Sequence, residues 1–172
     1  DCLHALEVED PPEPVPPPPA SQRILFGNAE RLEFLDEPAA LLAATGADVV
    51  LLVEVDVGTA RSGNRHTVRD LAAQPGMGWC FAVEFLELDL GDARERARHA
   101  GSSNVAGLHG AASVSRFPLE RPALVRLDSS GRRFDGGFGE RRVGGRMALP
   151  AEAATPGSRP SRRGRTAPAS RA

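Results

Sequence analysis

The stretch that most limits the possible folds is residues 48–57, DVVLLVEVDV. From Val49 to Val53 it is unbroken β-branched residues and Leu, the pattern of a strand covered on both faces. The same run then carries two carboxylates, Glu54 and Asp56, and opens into a polar loop, GTARSGNRH. A buried strand has no structural need of acids. A metal or phosphate site placed at a strand's end does.

The flanking segments fit a strand–helix–strand unit. RILFGN is a short apolar run that breaks at Gly27-Asn28, as a strand ending in a turn would. DEPAALLAATG follows, with Asp36 as N-cap, Pro38 in the first turn, Leu41 and Leu42 as the buried face, and Gly46 as the stop. Three such elements within about 30 residues predict a layered α/β domain. Downstream, HTVRDLAAQ predicts a helix with Val68 and Leu71 inward. WCFAVEFLELDL predicts a strand running into a bend, with Cys80 a buried thiol. DARERARHA reads as a solvated helical connection. GLHGAASVSRFPL is a Gly-bounded apolar stretch closed by Pro118, and ALVRLD alternates as a half-buried strand. Residues 131–145 read as a Gly/Arg-rich loop before a last short strand, RMAL.

Two segments fall outside this pattern. Residues 1–22 hold seven prolines between Pro11 and Pro19 and predict a disordered polyproline II linker. Residues 151–172 are Ala, Pro, Ser, Gly and Arg without periodicity and predict a disordered tail. The folded part is then 23–150, enough for one modest core in a chain that is 41% hydrophobic. All 21 basic residues are Arg. Residues 1–130 carry 11 Arg against 20 acids, net −9, and residues 131–172 carry 10 Arg against 3 acids, net +7. The acidic part fits a cation-binding domain; the basic tail reads as solvated, with nonspecific polyanion contact as the other reading.

Cys2 and Cys80 form neither a zinc spacing nor a disulfide framework. No apolar stretch approaches the ~20 residues that span a bilayer. No signal peptide is in view and the chain starts at Asp, which leaves cytoplasmic and secreted settings both open. Oligomeric state is equally open.

Several residues can carry chemistry. Glu54 stands where α/β sheets collect ligands, at a strand end, and Mg²⁺ asks for one or two carboxylates plus water and substrate oxygens. Asp56 shares its face parity if the strand continues, as a second ligand or as the start of the loop. Asn28 ends the neighbouring strand, where its amide can orient a metal-bound water or a phosphate oxygen, or simply serve the turn. The loop gathers phosphate-compatible donors in Arg61, Ser62, Asn64, Arg65 and His66. His109, in a Gly-rich turn, is either an acid/base or phosphate contact, or structural.

The order of these pieces resembles the endonuclease/exonuclease/phosphatase superfamily of deoxyribonuclease-like metal-dependent phosphoesterases. RILFGN with Asn28 matches its first motif, ADVVLLVEVD with Glu54 its second, and GLHGAASVSRFPL, through Ser115, Arg116 and Pro118, its third. RSGNRH, EFLEL, GLHG and RRVGGRMAL are similar to a bacterial branch, and the likeness runs over about residues 23–150. Val53 replaces the Gln that usually precedes the Glu, and Ala111 the Asn expected after His-Gly. The resemblance implies the N-terminal portion of a four-layer α-β-β-α sandwich, a phosphodiester or phosphomonoester hydrolase using Mg²⁺ or Mn²⁺. It implies Glu54 as metal ligand, Asn28 and His109 as catalytic residues, and Arg61, Asn64 and Arg65 on a substrate that is nucleic acid, nucleotide, inositol phosphate or phospholipid.

The sequence also departs from that pattern. Its family completes the site with Gly-Asp-x-Asn and Ser-Asp-His motifs, and neither occurs in these 172 residues. After RMALPAE the strand pattern stops. A truncated or frameshifted gene product is the expectation, with loss of most activity because groups that act as a unit fail together; a noncatalytic fragment holding cations or polyanions weakly is the alternative. A third possibility is a chain too incomplete to fold cooperatively, with unpaired edges and a bare sheet face.

Overall fold

The strand–helix–strand unit forms as expected, and its product is a parallel strand pair. The structure, a computed structural model, describes residues 2–128, 133–135 and 139–153. Its strands are β1 (Leu6–Glu9), β2 (Ile24–Arg31), β3 (Val49–Val57), β4 (Gly78–Glu87), β5 (Leu108–Ser115), β6 (Leu119–Glu120), β7 (Val125–Arg126), β8 (Arg133–Asp135), β9 (Arg142–Gly144), β10 (Met147–Ala148) and β11 (Glu152–Ala153). Its helices are α1 (Asp36–Thr45), α2 (Thr67–Ala73) and α3 (Ala93–Arg98). Among the described residues a seven-stranded sheet runs β2-β3-β5-β4-β9-β8, with β1 also on β4. Only β2 and β3 are parallel; the other pairs of this sheet are antiparallel.

The mixed α/β class therefore holds, as one helix-covered sheet. Val50, Leu52, Val55, Val57, Trp79, Phe81, Val83, Ala112 and Val114 fill the core face, joined by Leu42 of α1 and by Val68, Leu71 and Ala72 of α2. The opposite face is covered only in part. Cys80, Ser113 and Ser115 are buried, whereas Ile24 (66% exposed), Phe26 (68%) and Leu51 (39%) lie open on β2 and β3. Two small antiparallel pairs, β7–β10 and β6–β11, complete the described architecture.

Strict alternation along VVLLVEVDV would put Val50, Leu52, Glu54 and Asp56 on one face, two acids in the core. A β-bulge prevents this. Val53 pairs with Ala111 and Val55 with Gly110, leaving Glu54 as the extra residue, with φ 56°. Val55 and Val57 thereby join Val50 and Leu52 in the core, and Asp56 turns to the other face. β4 does the same on the far side of β5: Val83 pairs with Gly110 and Phe85 with His109, and Glu84 is the extra residue. The two bulges flank one residue, Gly110, so tightly that a Cβ there would sit 2.0 Å from the Ala82 carbonyl oxygen.

Several local expectations are corrected. Residues 2–9 are not linker: Leu3 is buried, and β1 pairs with Trp79–Ala82 because β4 otherwise offers an open edge to an alternating LEVE. β2 continues past Asn28 to Arg31 through a register shift against β3. In α1 the N-cap is Leu35 without a side-chain cap; Asp36 begins the helix and faces its positive end. Leu42 is buried but Leu41 is 53% exposed, since these adjacent residues point about 100° apart on a helix. Gly46 does close α1 in the left-handed conformation. The 131–145 loop contains β8 and β9, drawn onto β4's remaining edge, and of ALVRLD only β7 forms. Within the 151–172 tail, Glu152–Ala153 forms β11; residues 154–172 lie outside the described residues.

A Cβ at Gly110 meets the backbone of both Ala82 and Glu84, whereas one at Gly27 has nothing within 4 Å. Gly110→Ala should cost roughly 3 kcal/mol in urea denaturation and Gly27→Ala close to nothing. Equal effects would mean that the paired bulges do not hold β3, β5 and β4 at this spacing.

Candidate functional site

Beyond the paired bulges, Asp56, His109, Phe85 and Glu87 share the face away from α1 and α2, because each lies past the residue that resets its strand's parity or opposite one that does. Asp56 is fully buried and His109 nearly so. Asp56 Oδ1 lies 2.8 Å from His109 Nδ1. Its other neighbour is Arg61, on the 3-10 turn Ala60–Ser62, whose Nε and Nη2 donate to Asp56 Oδ2 and Oδ1 at 2.7 and 3.0 Å. Thr59 Oγ1 donates to Oδ2 at 2.7 Å. Arg61 also reaches Glu87 Oε1 at 3.3 Å and Glu95 Oε2 at 3.5 Å. From Glu95 the charges continue to Arg31 and Glu140, at 3.0 and 2.8 Å.

Burial pushes the Asp56 carboxyl upward, but the hydrogen bonds and charges of His109 and Arg61 outweigh it and hold its pKa at about 2, below the ordinary 3.8. Burial likewise works against the Arg61 cation, and the Asp56 hydrogen bond more than compensates, so Arg61 is raised. Glu87 is raised because burial outweighs the pull of Arg61 and His109. Its Oε2 and Arg61 Nη1 are buried without a hydrogen-bond partner among the described residues.

Glu54 is of a different kind. It is half-buried, and among the described residues its carboxylate makes no hydrogen bond or ion pair. Its left-handed backbone is uncommon for a residue other than Gly, Asn or Asp and costs about 1 kcal/mol. Asn28 pairs with Val53, one residue from Glu54, but its Oδ1 accepts the Glu30 N–H at 2.9 Å, the turn role. The three residues predicted to meet substrate spend polar groups inside the protein. Arg61 is locked on Asp56; Asn64 bonds the Ser103 carbonyl and the Val105 N–H; Arg65 donates to the carbonyls of Ser62 and Glu33. His66 caps α2, accepting from the Arg69 N–H, and its ring lies tilted against Trp79.

The structure thus gathers Asp56, His109 and Arg61, with Glu87 as a member that sequence reasoning missed. EFLEL carried the signal, but its strand parity resets at Glu84, which period-two counting does not show. As for a divalent cation, no group of three Asp, Glu, His or Cys side chains converges among the described residues. What is present is one half-buried carboxylate, Glu54, without a partner among the described residues, at a bulge one residue from the position paired with Asn28.

With the geometry in hand, the chain defines a mixed α/β protein with its polar residues collected past the bulges of one sheet. Among solved structures it is similar to the endonuclease/exonuclease/phosphatase from Beutenbergia cavernae DSM 12333, at 21% identity, covering 79% of this chain and 35% of that one, with a TM-score of 0.48. The chain thus spans about a third of that protein's length. No family model and no curated protein matches it. Among the described residues no helix is long and apolar enough to cross a membrane.

Because Asp56 titrates lower folded than unfolded, its network stabilises fully above the unfolded value and fades as pH falls through about 2. That contribution is about 2 kcal/mol. Asp56→Asn should remove this acid-side dependence and cost about 3 kcal/mol at pH 7, since Arg61 loses its main partner. Urea denaturation at pH 3 and pH 7 measures both; an unchanged slope against pH would contradict the assignment.

Proposed function

We propose that this chain carries the anchoring part of a divalent-metal-dependent phosphoesterase site, with Glu54 as the metal ligand. One observation carries the reading: Glu54 keeps a free carboxylate in a backbone conformation that penalises it. Strain of that kind persists where the surrounding structure overdetermines it, and it clusters at functional sites. The ordered motifs around Asn28, Glu54 and Ser115-Arg116 support the same reading.

In it, Glu54 holds Mg²⁺ or Mn²⁺, and Asn28, on the adjacent strand, orients a water or phosphate oxygen through its amide N–H₂. When bound, the cation supplies Lewis-acid polarisation of a phosphoryl oxygen. His109 contacts the phosphoester from the neighbouring strand, and the Asp56–Arg61 pair keeps that end of the sheet rigid. The substrate is a phosphodiester or phosphomonoester.

A second reading has its own observation. No group of three metal-ligating side chains converges among the described residues, and one carboxylate is a weak cation site by itself. The same residues would then bind a cation without turnover. Mn²⁺-dependent hydrolysis of bis(p-nitrophenyl) phosphate separates the two: activity lost in Glu54→Ala supports the enzyme, and an equal metal-independent background in both supports the binder. Glu54→Gly makes a sharper case. It should raise stability by about 1 kcal/mol, by relieving the left-handed backbone, while abolishing Mn²⁺ dependence. A stabilised variant with unchanged metal dependence would remove Glu54 from the site.

A further inference from the structure

We infer that Asp56 is a positioning residue that fixes His109 with its proton on Nδ1 and leaves Nε2 as the proton-transfer atom of the site, an inference that rests on the phosphoesterase reading. Two acceptors cannot share a short contact, and both Asp56 oxygens already accept, Oδ2 from Arg61 Nε and Thr59 Oγ1 and Oδ1 from Arg61 Nη2. The hydrogen between Asp56 Oδ1 and His109 Nδ1 must then belong to the ring. Arg61 Nη2, 3.4 Å from Nδ1, is not bonded to it, because both are donors.

Three features make this more than a structural hydrogen bond. Asp56 is itself held by three donors, from Arg61 twice and Thr59 once, so the ring cannot swing without breaking a buried network. The strand pairing seats Asp56 directly opposite His109 and seats Phe85 on its other side. And Nε2 has no hydrogen bond among the described residues, nor is it one of their sealed, unpartnered buried atoms; 7% of the His109 side chain stays open. A ring clamped at one nitrogen and open at the other is the arrangement a general acid–base group needs. The charged groups around it are Asp56 from β3, Arg61 from the 3-10 turn and Glu87 from β4, with Glu95 of α3 and Glu140 behind them.

The step it serves is hydrolytic. A water O–H bond breaks and its proton passes to Nε2 as the water oxygen bonds phosphorus and the ester P–O bond opens. The proton on Nε2 then goes to the departing alkoxide, and no electrons change owner.

Two measurements test this. Nitrogen-15 histidine NMR on the unaltered chain reads the ring directly: the neutral His109 ring should be the Nδ1–H tautomer, and an Nε2–H tautomer would overturn the inference whatever the activity. With Mn²⁺ and bis(p-nitrophenyl) phosphate, His109→Ala should lose roughly 100-fold in kcat and recover part of it with added imidazole. Asp56→Asn should lose roughly 10-fold in kcat with KM within about twofold. A His109→Ala variant that keeps its kcat overturns the proton-transfer role alone. An unaltered chain with no turnover overturns the phosphoesterase reading and the hydrolytic step with it, while the tautomer result separately decides how Asp56 holds the ring.

Discussion

The contact between Gly110 and the bulges on either side of it is the constraint on which the rest of this structure depends. Two strands, each with one residue too many, close around a position that has room for no side chain. That single device solves two problems. It keeps Val55, Val57 and Leu86 on the helix-covered side with the apolar residues that precede the bulges. It also sends Asp56, Phe85 and Glu87 to the opposite face, to meet His109. Had both strands alternated strictly through residues 54 and 84, the core face would carry three carboxylates, Glu54, Asp56 and Glu87.

The acids past the bulge divide by role. Asp56 is consumed by structure: it satisfies Arg61, Thr59 and His109, and its ionisation is held by them rather than offered to a ligand. A buried pair of this kind is weak as a source of net stability but severe when broken, which makes it suited to fixing geometry. Glu54 is the reverse, unpartnered and in an unfavourable backbone conformation. That combination is what the proposal of Glu54 as a cation anchor rests on.

Much of this was legible in the sequence, and the failures have a common physical origin. The βαβ unit, the inward Val68 and Leu71, the buried Cys80 and the left-handed Gly46 all follow from local periodicity and backbone preference, and all are seen. What local pattern does not contain is register between distant segments. VVLLVEVDV alternates plausibly with or without a bulge, and only pairing with Gly110 and Ala111, more than 50 residues on, decides it. The same holds for LEVE, which a proline run next door disguises as linker until an open edge on β4 recruits it. Asn28, Arg61, Asn64 and Arg65 were readable as polar and ligand-like, but their partners, Glu30, Asp56, Ser103 and Glu33, were not. Asp56 and Arg61 lie five residues apart, yet their pairing shows only once a 3-10 turn folds the loop back over the strand.

The proposed site depends first on Glu54 as its cation anchor. Mn²⁺ titration of the isotope-labelled chain, followed by paramagnetic broadening of backbone amides, tests it most directly. The amides of Asn28, Val53 to Val55, Gly110 and Ala111 should broaden first, and Glu54→Gln should protect them. Broadening that begins around Glu30, Glu33 and Glu37, or spreads evenly over the acidic surface and is unchanged by Glu54→Gln, would contradict it.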